Sequence, residues 1–145
     1  DLSARALQME EMKLNLGPAK GKDFATAIGP WLVTKDELGG RLRTSPKGNV
    51  LDARMTAHVN GVQVSDGNVA QMDWTFAEIV RRAADGVMLE PGEVIGSGTV
   101  GTGCFLELNG SGVTKDQWLR PGDVVSLAVD GLGTLAHTIV EDPAK

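Results

Sequence analysis

The chain has 145 residues with 14 basic and 19 acidic side chains, a formal net charge of −5. That acidic balance, with a pI near 5.0, excludes the concentrated positive face that nucleic-acid backbones require. Hydrophobic residues make up 41% and charged residues 23%, proportions of one folded domain rather than a disordered tail. No apolar run is long enough for a membrane-spanning helix.

A single cysteine, Cys104, excludes a disulfide framework and suits a reducing, cytoplasmic setting. CxxC and HExxH pairs are absent, which removes a thiolate or imidazole metal cage. With 19 glycines, no tyrosine and three phenylalanines, the core must come from aliphatics, methionine and the three tryptophans. Abundant glycine without low complexity predicts tight turns and close backbone approaches, as in a β-rich protein. The chain starts at Asp1 rather than methionine, inside a motif-like run and without a signal-peptide pattern, so an N-terminal part is expected to be lacking.

Residues 1–16 are amphipathic: Leu2, Leu7, Met9, Met12, Leu14 and Leu16 alternate with Arg5, Gln8, Glu10, Glu11 and Lys13. This fits a helical turn followed by a loop, broken at Gly17-Pro18. Lys20 to Phe24 reads as a tight basic loop. Ile28 to Val33 reads as a short strand, and Thr34 to Leu38 as a helical turn closed by Gly39-Gly40. Leu51, Ala53, Met55, Ala57 and Val59 alternate up to Asn60-Gly61, with Val62 and Val64 beyond. That pair between alternating runs predicts a hairpin, because both residues tolerate positive φ. Phe76, Ile79, Val80 and Ala83 fall at helical spacing behind a Thr75/Glu78 capping box, and Gly86 suits the end. Leu89-Glu90-Pro91-Gly92-Glu93-Val94-Ile95 is echoed by Leu119-Arg120-Pro121-Gly122-Asp123-Val124-Val125, each predicting a type II turn feeding a strand. Further strands are expected at Cys104–Leu108, Val124–Val129 and Thr134–Val140.

Gly96-Ser97-Gly98-Thr99-Val100-Gly101 spells GxGxxG. A dinucleotide site requires a helix to follow, within a βαβ unit. The expected strand at Cys104–Leu108 points instead to a loop that brings backbone close to another ligand, or to a plain turn. Gly17 to Lys22 falls short of a phosphate loop, with three residues between its glycines and Asp23 in place of the magnesium-binding hydroxyl. Lys22 reads equally as a solvated surface lysine or as an oriented one. His58 and His137 read as structural or surface histidines, Cys104 as an inert thiol, and no GxSxG elbow is present.

Taken in order, several runs resemble the fumarylacetoacetate hydrolase family. Asp1-Leu2-Ser3-Ala4-Arg5-Ala6-Leu7-Gln8 is similar to its D-x-S-A-R-D-x-Q segment. Gly21-Lys22-Asp23-Phe24-Ala25-Thr26 with Gly29-Pro30-Trp31-Leu32-Val33 is similar to its GK-x-F-x-T…GPW-V segment. Val59-Asn60-Gly61 through Phe76, Pro91 through Thr99, and Trp118 through Gly133 resemble its hairpin, its PGD-x-I-x-x-GT turn and its closing strands. The resemblance spans nearly the whole chain.

The resemblance implies a mainly β (α+β) fold, a mixed β-sandwich roll with one clear helix, as a single catalytic domain over residues 1–145. It implies a divalent metal (magnesium, manganese or calcium), a small keto-acid substrate and a homodimer. The implied reaction is hydrolysis of a carbon–carbon bond in 1,3-dicarbonyl acids such as acylpyruvates; β-keto-acid decarboxylation, enol-acid isomerisation or a non-catalytic module are the alternatives. Asp1 matches a metal-ligating aspartate, since hard cations take oxygen ligands, and Thr26 a position near a second, structural cation. Arg5, Gln8 and Lys22 match the catalytic oxyanion-stabilising positions, and Gly98 and Thr99 the contact to the substrate carboxylate. Ala6 departs from the motif's aspartate. The family's E-x-E ligand pair and its water-activating lid precede the segment matching Asp1 and are not among these residues.

Overall fold

The computed structural model describes residues 1–15 and 17–142. Leu16, assigned above to the amphipathic run, lies outside the described residues. The chain divides into two compact units, Asp1–Leu32 and Val33–Lys145.

The first unit contains helix α1 (Arg5–Glu11), continued by a 3-10 turn over Met12–Leu14 that ends on Asn15 at φ 54°. A seven-residue helix without a side-chain N-cap is too short to stand alone. Its support comes from the 19–25 loop, through Ala4 N–H to Gly21 C=O at 2.9 Å and Leu2 N–H to Ala25 C=O at 3.1 Å. The strand expected at Ile28–Val33 is not formed. That run is irregular, and Ile28, Trp31 and Leu32 are exposed. Its apolar residues find no neighbouring ladder, and Gly29-Pro30 interrupts it.

The second unit holds two antiparallel sheets. Strands β1 (Leu42–Ser45) and β2 (Gly48–Leu51) form a hairpin of their own. Strands β3 (Arg54–Val59), β4 (Val62–Asn68), β5 (Val124–Val129) and β6 (Gly133–Thr138) form a sheet in the order β4-β3-β5-β6. The Asn60-Gly61 hairpin is present, with φ 51° and 79°, both left-handed as a two-residue turn demands. Leu51, included in the alternating run, belongs instead to β2. Helix α2 (Phe76–Ala83) carries the predicted box: Thr75 N–H donates to Glu78 at 2.8 Å and Glu78 N–H to Thr75 Oγ1 at 3.3 Å.

The mainly β, mixed fold is therefore found, with three short α-helices among the described residues instead of one. Cys104–Leu108 is not a strand: Phe105–Gly110 forms helix α3, whose Leu108 is almost wholly buried. A five-residue run with four apolar residues around Glu107 fits either period, and here burial of one side chain at a helix face decides. Both Pro-Gly turns close as predicted, with Gly92 at φ 97° and Gly122 at 95°. Only the second feeds a strand, because Val94 and Ile95 are exposed and find no ladder partner.

Among the described residues the buried apolar ones are Leu51, Ala53, Val59, Leu108 and Val125. The core is thus aliphatic. Trp31, Trp74 and Trp118, expected inside, are 58%, 67% and 40% exposed, a setting that suits a ring with a polar N–H. No helix among the described residues is long and apolar enough to cross a membrane.

One side-chain hub joins the hairpin to β5. Asn60 Nδ2 donates to Asp123 Oδ1 at 2.8 Å, Val124 N–H to Asn60 Oδ1 at 2.9 Å, and Arg120 N–H to Asp123 Oδ2 at 2.8 Å. The bond from Asn60, then that from Arg120, holds the Asp123 carboxyl below its ordinary pKa. A depressed folded-state pKa contributes stability that is full above the usual carboxylate range and is lost as pH falls through the lowered value. Asp123→Ala is accordingly expected to lower the stability of the intact protein most at neutral pH, by an amount that narrows on acidification below pH ~4. Urea unfolding across that range checks the sign; a deficit that widens in acid contradicts it.

Candidate functional site

The first unit gathers most of the candidate side chains. Arg5 and Gln8 lie on one face of α1, and the Arg5 guanidinium donates to Gln8 Oε1 at 2.8 Å. Gln8 is 8% exposed. With Oε1 committed, its Nε2 meets the Met12 thioether, at 3.6 Å, among the described residues. Thioether sulfur is a weak acceptor, so this amide N–H is weakly engaged. Lys22, half-buried, donates from Nζ to Ser3 Oγ at 2.8 Å. That bond uses one of three ammonium hydrogens. Of the two readings open for Lys22, the oriented one holds.

The loop bearing Lys22 is pressed onto α1. A Cβ on Gly21 would lie 2.8 Å from the backbone N and Cα of Gln8, so only glycine fits there. Glu11 completes the contact by accepting three backbone N–H bonds from the loop: Oε2 from Ala19 at 2.9 Å and Gly21 at 3.0 Å, Oε1 from Lys20 at 2.7 Å. Nothing in residue spacing signals that role for Glu11, which the sequence shows merely as half of an acidic pair.

Asp1 and Thr26 are exposed in the same unit, and no ion pair among the described residues involves Asp1. Its carboxylate fits as one hard oxygen ligand. A complete set is not there: among the described residues no three of His, Cys, Asp or Glu come together to hold a metal ion.

Gly98 and Thr99 belong to the second unit and are exposed. Their loop is anchored on β4. A Cβ on Gly67 would collide with the Val100 side chain, so glycine in the strand leaves a slot for that valine. Thr102, at φ 69°, bonds Ser65 through its hydroxyl at 3.1 Å and gives its N–H to Glu107 of α3 at 2.8 Å. An isolated glycine within a strand signals such a close approach, and Gly67 could have been read that way. Residues 96–101 line a concavity of about 840 Å³ together with Met72, Trp74, Ile79 and Leu132. A helix does follow GxGxxG, but α3 has six residues and, among the described residues, the element before the loop is α2 and not a strand. The sheets are antiparallel, which does not supply the βαβ unit that a dinucleotide site requires. His58 lies in β3 and His137 in β6.

This mixed β fold and its ordered polar residues define a class. Residues 1–140 match the family model described as fumarylacetoacetate (FAA) hydrolase C-terminal, and the chain belongs to that family. A 2,4-didehydro-3-deoxy-L-rhamnonate hydrolase from a Sphingomonas species is 32% identical over 84% of this chain and 38% of its own length. An uncharacterized protein of Staphylococcus saprophyticus is 33% identical over 79% of this chain and 33% of its own. The structure of a fumarylacetoacetate hydrolase from Exiguobacterium antarcticum superposes with a TM-score of 0.68 and 25% identity, over 97% of this chain and 44% of that one. The chain thus spans a third to under half the length of these relatives.

Gly21→Ala is expected to destabilise the intact protein by about 1–3 kcal/mol, the usual cost of overpacking, because the obstructing atoms are backbone. Thermal unfolding checks this; an unchanged midpoint contradicts the close packing of loop on helix.

Proposed function

We propose that this chain forms the catalytic domain, over residues 1–145, of a metal-dependent hydrolase that cleaves a carbon–carbon bond in acylpyruvate-like 1,3-dicarbonyl acids. The observation that supports the reading is a Gln8 amide whose Nε2 meets a weak thioether acceptor, and a Lys22 ammonium bonded to Ser3, on one packed helix–loop assembly. Support comes also from family membership and from relatives named as hydrolases of fumarylacetoacetate and of 2,4-didehydro-3-deoxy-L-rhamnonate.

In such a reaction water adds to the acyl carbonyl, the bond to the central methylene breaks, and its electron pair leaves on the pyruvate enolate, which takes up a proton. The hard step builds an alkoxide, and preorganised donors stabilise it best. Lys22 supplies the compact positive charge and Gln8 the neutral amide donor, while Arg5 fixes the Gln8 amide in the orientation that presents Nε2. Thr99 and the Gly98 backbone are assigned to the substrate carboxylate. Asp1 is assigned as one ligand of a divalent cation, magnesium, manganese or calcium, with the remaining oxygen ligands coming from outside these residues; when bound, that cation polarises the keto oxygens. Thr26 is assigned to a second, structural cation. A homodimer and a cytoplasmic setting complete the reading, the latter on the single thiol Cys104.

The intact protein is expected to hydrolyse acetylpyruvate or fumarylpyruvate and to lose that activity in EDTA. Turnover of oxaloacetate alone, with release of carbon dioxide, would replace the hydrolase by a decarboxylase. Lys22→Met should keep manganese affinity and slow turnover by about 10²–10³-fold, as for loss of one oxyanion donor; an unchanged rate removes Lys22 from the mechanism. Asp1→Ala should weaken manganese binding severely in calorimetric titration. No manganese binding by the wild type, and hence no effect of that substitution, would favour a non-catalytic module.

A further inference from the structure

Three consecutive backbone N–H groups, those of Ala19, Lys20 and Gly21, converge on the carboxylate of Glu11. Successive N–H groups turned to one side make an anion-binding concavity, and here the anion comes from the chain itself. These bonds, with that from Gly21 the largest contribution, hold the Glu11 pKa below its ordinary value, so the group is charged at neutral pH.

The turn does not need Glu11 in order to close. Lys22 N–H and Asp23 N–H already return to Ala19 C=O at 3.0 and 2.9 Å. What the carboxylate adds is the placement of that turn on α1, whose last residue is Glu11 and whose face carries Arg5 and Gln8. Lys22 is the residue directly after the third donor. The charge of Glu11 is taken up by the N–H groups and not by Lys22, whose Nζ is bonded to Ser3.

We propose that Glu11 is a positioning residue for Lys22: its carboxylate clamps the 19–21 turn to α1 and so fixes the distance between the Lys22 ammonium and the Gln8 amide. This rests on the reading of Lys22 as an oxyanion donor. The clamp acts through geometry, since oxyanion donors work only when held within a fraction of an ångström of the developing charge. Glutamine at position 11 would keep the size but offer one acceptor oxygen, turning an NH2 group toward N–H donors and losing at least one of the three bonds.

The test is steady-state kinetics of the intact enzyme on acetylpyruvate. Glu11→Gln is expected to lower kcat by about 10- to 100-fold with KM changed less than about twofold, the pattern of a transition-state contact weakened. Glu11→Asp, which keeps both oxygens and the charge, should recover part of that loss. In a Lys22→Met background the same Glu11→Gln change should cost less than about threefold, because the group it positions is gone. A full, additive loss in that background overturns the clamp and leaves the function of Lys22 standing. An active enzyme indifferent to Lys22→Met, or a wild type inert toward acylpyruvates, overturns both. Should Glu11→Gln fail to fold, Glu11→Asp in the same two backgrounds separates the same outcomes.

Discussion

Gly21 lies so near the backbone of Gln8 that a single methyl group would overlap it, and the first unit depends on that approach. Helix α1 is too short to be stable alone and has no side-chain cap at its start. The loop against it has no regular structure of its own. Each becomes definite by leaning on the other, through the glycine contact, the 2.9 Å bond from Ala4 N–H to Gly21 C=O and the Glu11 carboxylate. Candidate residues separated by fourteen positions, Gln8 and Lys22, are in this way parts of one assembly.

The glycine loop of the second unit is held by the same two devices. A glycine in β4 makes room for Val100, and a carboxylate, Glu107, takes the N–H of the left-handed Thr102. Glu78 does likewise for Thr75 and Asp123 for Arg120. Part of the acidic excess of the chain is therefore engaged with backbone donors inside turns and caps rather than displayed as a uniform surface charge. The pKa values of Glu11 and Glu78 fall first through backbone N–H bonds, and that of Asp123 first through the Asn60 side chain and then the Arg120 N–H, which ties the order of these turns to ionised acids.

Features written in two or four adjacent residues were legible beforehand. Asn60-Gly61, Thr75 with Glu78, and both Pro-Gly turns depend on local sterics and local hydrogen bonds, and each formed as expected. Features decided by what lies opposite were not. Ile28–Val33 and Val94-Ile95 are apolar enough for strands but meet no ladder, and Phe105–Gly110 chose a helix because Leu108 could be buried that way. The family was legible from ordered motifs, not from periodicity. Spacing did not reveal that Gln8 presents its amide N–H while Arg5 holds its oxygen, and it concealed Glu11, whose partners lie eight to ten residues away.

The proposed chemistry turns on water adding to a carbonyl whose alkoxide is met by Lys22 and Gln8. The most direct measurement is turnover of acetylpyruvate by the intact protein in 18O-labelled water, with products resolved by mass spectrometry. Hydrolysis predicts equal amounts of pyruvate and acetate, with one solvent oxygen in the acetate carboxylate for each bond broken. Carbon dioxide and a ketone in their place, or acetate free of label, would contradict it.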